Sequence, residues 1–186
     1  MVGEQPGDKE DLVGRPFVGP AGALLNRALE EAGINRAEIY ITNAVKHFKF
    51  DDRGKRRIHK RPSDTEIDAC KPWLWAELAR IQPQLIVCLG ATAARSVIGK
   101  QHQLLKERGQ FFGHPMAQSV TATIHPSSVL RSPDPKQRQA DYAAFLKDLK
   151  AVRRKLDEFV SFARRAATCR SLEESVAYRL RPELIF

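Results

Sequence analysis

The chain has 186 residues, 42% of them hydrophobic, with 31 Lys and Arg against 22 Asp and Glu and a net charge of +9. That length fits one domain with room for an appendage, and burial of about 70% of the unfolded surface makes disulfide staples unnecessary. No apolar run approaches a membrane span, and nothing at the start reads as a secretory signal. The charge is concentrated: residues 46–61 hold eight Lys or Arg, with Asp51 and Asp52 the acids among them. A local basic loop suits a polyanion better than an evenly basic surface does, with a solvated loop as the alternative. The three cysteines, Cys70, Cys88 and Cys169, are odd in number and widely spaced; this argues against a disulfide framework and for a reducing cytoplasm.

Along the chain, "VGEQPGDKED" reads as the tail of a first strand and a turn. Met1 and Val2 alone remain of an element that normally runs about 5–6 residues, so the first strand is expected to be truncated. "GALLNRALEEAGI" (22–34) carries apolar residues at helical spacing up to a Gly33 stop. "EIYITNAV" (38–45) reads as a buried strand, and Ser63 or Asp64, with Glu66 close behind, caps the helix that follows. "PQLIVCLG" (83–90) is a strand into a glycine turn, and "ATAARSVIG" the helix after it. "SVTATIHPSSVL" is a strand broken by Pro126, and a long helix from "KQRQ" closes the domain. Such alternation argues for an α/β fold, a three-layer α/β/α sandwich on a mainly parallel sheet. Ligands gather at the carboxyl ends of such strands, where "TNAVKH", "CLG" and "TIHPSS" fall.

Taken together and in order, "GEQPG", "PFVGPAG", "TNAV" and "HPSS" resemble the uracil-DNA glycosylase superfamily, in particular its iron–sulfur type, family 4. The insertion "KRRIH" is similar to that of UdgX-type enzymes, which bond covalently to uracil-containing DNA. The resemblance covers residues 1–152, leaving 153–186 as an extension expected to be helical. It implies that the target nucleotide is flipped into a pocket and that the uracil leaves as a stabilised anion. Phe17 would stack on the base, Asn43 would read its edge, and His125 would donate to a uracil carbonyl. Gln5 would line the pocket and position the base or sugar as part of the catalytic set, with Asp8 as a secondary pocket candidate or a turn cap. Ser127, Ser128 and Arg131 would contact phosphate, as would Lys55, Arg56 and Lys60. His59 would bond to the sugar C1′, kept neutral by the cations at 55, 56, 57 and 60. Glu4 would orient its ring and accept its proton, and Arg57 would hold the loop against the site or the DNA backbone as a substrate contact.

The resemblance also implies a [4Fe–4S] cluster on four ligands, normally thiolates. His47 stands where one cysteine would, Cys70 fits another, and no C-x-x-C pair occurs. Either two cysteines lie upstream of Met1, the favoured expectation, or this form holds no cluster. Two other functions stay open: a conventional glycosylase that turns over, and a DNA-binding module without chemistry. A monomer accepting single-stranded DNA is the default expectation.

Overall fold

The structure, a computed structural model, describes residues 1–54 and 56–179, with side chains as far as residue 162. In chain order the elements are β1 (Val2–Gly3), α1 (Asp8–Val13), α2 (Pro20–Glu31), a 3₁₀ turn (Arg36–Glu38), β2 (Thr42–Asn43), β3 (Phe50–Arg53) and β4 (Arg56–His59). Next come α3 (Asp64–Ile81), β5 (Leu85–Leu89), α4 (Ala91–Val97), α5 (Leu104–Glu107), β6 (Phe111–His114), β7 (Ala117–Thr123), α6 (Pro126–Arg131) and α7 (Pro135–Arg179).

Five strands form one sheet in the order β2-β1-β5-β7-β6. The first four run parallel, and β6 pairs antiparallel with β7 at the edge. Helices flank this sheet, as the alternating pattern requires. Alternate residues of β5 serve its two faces. Ile86 and Cys88 pack with Val2, Ala94, Leu74 and Leu78 in one core cluster, drawing on α3 and α4. Val87 and Leu89 are buried on the opposite face. Burial on both faces explains why β5 reads as a continuous apolar run.

Several elements differ from their sequence reading. The strand expected over 38–45 is only Thr42–Asn43, and its first residue, Glu38, instead closes a 3₁₀ turn that Asn35 starts by accepting from the Ala37 amide. Pro126 does not break a strand. β7 ends at Thr123, and Pro126 opens α6, where a fixed φ and a missing N–H cost nothing. The basic loop is an antiparallel hairpin, β3 with β4, turning at Gly54 with φ 63°. Lys55 lies outside the described residues, as does the side chain of Cys169. Met1–Arg153 forms one compact unit and Arg154 onward a second. In the second, the helix continues to Arg179 and Lys155 pairs with Glu158 at 2.8 Å.

Candidate active site

A cleft of about 770 Å³ opens at the carboxyl ends of all four parallel strands. Glu4 follows β1, Asn43 ends β2, Gly90 follows β5 and His125 follows β7, and all four line it. From β1 the chain steps to β2 on one side and later to β5 on the other, so β1 and β5 flank the switch point where such sheets bind ligands.

His125 caps α6. Its Nδ1 accepts from the Ser127 amide at 3.2 Å and lies 2.7 Å from the Ser127 hydroxyl. An amide can only donate, so Nδ1 carries a lone pair and the neutral ring holds its proton on Nε2. Burial above all lowers the His125 pKa to about 4, with the charge of Glu4 opposing it and Arg131 and His59 adding to it. The ring is therefore a neutral donor facing the cleft. Gly90, at φ 93°, lets the start of α4 come close, since a Cβ there would meet the His125 side chain at 3.0 Å.

Phe17 lies 5.6 Å from the His125 ring, centroid to centroid, tilted by 33°. Its backbone sits at φ 57°, a left-handed conformation uncommon outside glycine, and such outliers concentrate at ligand sites. Gly3 makes the aromatic floor possible: a Cβ there would collide with Asn43 Oδ1 and press on the Phe17 ring. Asn43 is buried and held from behind. Lys46 Nζ donates to the Asn43 carbonyl at 2.9 Å and to Thr42 Oγ1 at 2.8 Å, and pairs with Glu77 of α3 at 2.7 Å. Phe17, Asn43 and His125 thus frame an aromatic face, an amide edge and a hydrogen-bond donor.

On the other wall, Glu4 Oε2 accepts from Thr92 Oγ1 at 2.5 Å, while Oε1 lies 3.4 Å from His59 Nε2. His59 is about half exposed at the last position of β4, and its ring sits against Phe48. What holds the hairpin there is Gln5. Its Nε2 donates to the carbonyls of Lys49 and Lys60, and its Oε1 accepts from the Lys49 amide. The Gln5 amide is thereby committed to the hairpin base, although the residue also lines the cleft.

The remaining expected residues divide. Ser127, Ser128 and Arg131 line the cleft; Asp8, Arg56, Arg57 and Lys60 do not. Asp8 instead binds Arg57 at 2.6 Å, and Asp11 takes the same guanidinium at 2.7 Å, tying the hairpin to α1. Lys60 faces Asp51 at 2.9 Å. Of the four cations expected to keep His59 neutral, two therefore face carboxylates and one lies outside the described residues. Three polar side chains of the cleft carried no role in the sequence reading: Thr92, Glu10, which accepts from the Gly19 amide ahead of α2, and Arg61. Thr92 follows the glycine turn after β5, a position that itself marks a site.

His47 and Cys70 converge, Nδ1 to Sγ 3.9 Å. Among the described residues no three His, Cys, Asp or Glu side chains gather to hold a metal. Two ligands among the described residues do not fit a four-ligand cluster. No helix of the described residues is long and apolar enough to cross a membrane.

A family profile described as the uracil DNA glycosylase superfamily matches residues 1–150. Similar proteins include the type-4 uracil-DNA glycosylase of Thermotoga maritima, 41% identical over 133 residues, covering 71% of this chain and 66% of that protein. Those of Pyrobaculum aerophilum and Saccharolobus solfataricus are 35% and 34% identical, each over 72% of this chain and over 68% and 62% of their own lengths. The chain thus spans about two thirds of the length of these relatives.

Proposed function

The chain belongs to the uracil-DNA glycosylase superfamily, and on that premise we propose that it excises uracil from DNA and captures the resulting sugar through His59. Single-stranded DNA is the simplest substrate, because no base pair must open before the nucleotide enters the cleft. The base stacks on Phe17, and the Asn43 amide pairs with its carbonyl and N–H edge. As the N1–C1′ bond breaks, both electrons pass to the uracil. His125 Nε2–H then stabilises the charge on a uracil carbonyl from a site prepared in advance. The sugar is left as an oxocarbenium ion. The lone-pair nitrogen of His59 forms a bond to C1′, and the proton on the other ring nitrogen passes to the Glu4 carboxylate. Uracil leaves as its anion and takes a proton from solvent.

The observation that carries this reading is the Glu4–His59 pair on the wall of the cleft that also holds Phe17, Asn43 and His125. A second reading, turnover through water, is favoured by the type-4 name shared by the relatives. In that case Glu4 would orient the water. Incubation with a single-stranded oligonucleotide bearing one uracil, followed by a denaturing gel, separates the two. A band of protein plus DNA that survives heat and detergent and vanishes in His59→Ala supports capture. Released uracil without such a band supports turnover.

A further inference from the structure

The carboxylate beside His59 is fixed from more than one side. Glu4 comes directly after β1, and its carbonyl accepts from the Val45 amide at 2.9 Å, which ties its backbone to the chain just past β2. Its side chain is only 24% exposed; Oε1 faces His59 Nε2 at 3.4 Å and Oε2 accepts from Thr92 Oγ1 at 2.5 Å. Thr92 is the second residue of α4 and is 2% exposed. The next two residues, Ala93 and Ala94, pack with Val2 of β1 and with Ile86 and Cys88 of β5 in the main core cluster. The β-branched side chain of Thr92 also has few rotamers open to it. Its hydroxyl is therefore presented by a rigid element. The two oxygens of a carboxylate are equivalent acceptors until one is taken. With Oε2 on Thr92, Oε1 is the oxygen left for His59.

We infer that Thr92 is the positioning residue that decides what meets the sugar cation: by holding Glu4 Oε2 it keeps Oε1 on His59, so that the imidazole rather than water bonds to C1′. This rests on the reading of His59 as the nucleophile. In that step one ring nitrogen gives its lone pair to C1′ and the other gives its proton to Glu4 Oε1. The electrons of the broken N1–C1′ bond have already left with the uracil. Proton transfer needs donor and acceptor within about 3.2 Å, so the pair at 3.4 Å has to close slightly and must not swing apart. Released from Thr92, the carboxylate can turn about its last bond and hold a water at the sugar instead. Excision is carried by Phe17, Asn43 and His125, so the step that Thr92 governs is the one after it.

The test compares Thr92→Val, which keeps the shape and removes the hydroxyl, with Thr92→Ser, which keeps the hydroxyl. Each protein is held in excess over a single-stranded oligonucleotide with one uracil. Adduct is read on a denaturing gel, and free abasic strand is read in a second portion after alkali cleavage. In Thr92→Val the ratio of adduct to free abasic strand should fall by about tenfold or more, the effect of one hydrogen bond to a charged group. In Thr92→Ser it should stay close to that of the unmodified chain. A mere loss of stability would lower both products together and leave their ratio as it was. Should Thr92→Val not fold, Thr92→Ser against Thr92→Ala, which differ in the hydroxyl alone, carries the same comparison. An unchanged ratio without the hydroxyl, or an equal fall in Thr92→Ser, overturns the assignment. If the unmodified chain gives no adduct, the capture reading fails and this assignment with it. An adduct from the unmodified chain beside an unchanged ratio in Thr92→Val strikes the assignment alone.

Discussion

Replacing Gln5 by glutamate keeps the shape of the side chain and inverts its chemistry. Gln5 is 8% exposed and donates to the Lys49 and Lys60 carbonyls at 3.2 and 3.0 Å. The substitution removes both donors and sets a carboxylate against two carbonyl oxygens. Two lost hydrogen bonds at about 1 kcal/mol each, together with the cost of unpaired buried acceptors, come to roughly 2–4 kcal/mol. The hairpin carries that cost, because these bonds close its base. Amide exchange over residues 49–60 should accelerate by about 30- to 700-fold, at 1.4 kcal/mol per factor of ten. Capture should slow as His59 leaves Glu4. The acid form of the new side chain can donate, so the defect should shrink as pH falls and the carboxylate protonates. Exchange and capture equal to those of the unmodified chain would refute Gln5 as the pin.

Gly3→Ala should leave the fold cooperative yet abolish excision, because its Cβ displaces Asn43 and Phe17; circular dichroism and uracil release check the two halves. Glu66 bonds to Lys49 first and then to the amide and hydroxyl of Ser63, which lowers its pKa from 4.5 to about 2. Its stabilisation is complete above the unfolded value and lost as pH falls from 4.5 towards 2, and acid titrations of Glu66→Gln should lack that component. His125 runs the other way. With a folded pKa of about 4 against 6.5 unfolded, the unfolded chain binds the extra proton between those values, so stability should rise with pH across that window. His125→Asn should flatten the rise. Excision should likewise show no loss from His125 titration until pH nears 4.

The strand-end residues were legible because a parallel sheet buried on both faces writes long apolar runs, and each run stops where the site begins. Asn43 and His125 fall at such stops, and the glycine turn at Gly90 marks a third. The hairpin was not legible. Phe50–Arg53 and Arg56–His59 stand outside the main sheet and alternate weakly, so charge dominated their pattern, although Gly54 in a two-residue turn was a usable signal. The charge pattern also hid its partners. Composition counts cations, whereas binding depends on which of them lack a carboxylate, and the partners of Arg57 and Lys49 lie 49 and 17 residues away in sequence. Thr92 and Glu10 escaped notice because each acts through a hydrogen bond to another group of the site, Glu4 and the Gly19 amide, that no local pattern announces.

The central claim is a bond between His59 and the sugar, and intact-mass spectrometry with peptide mapping tests it most directly. After incubation with uracil-containing single-stranded DNA, the expected species has the mass of protein plus oligonucleotide minus uracil. Digestion should place the modification on His59. Unmodified protein beside free uracil, or an adduct mapped to any other residue, would contradict it.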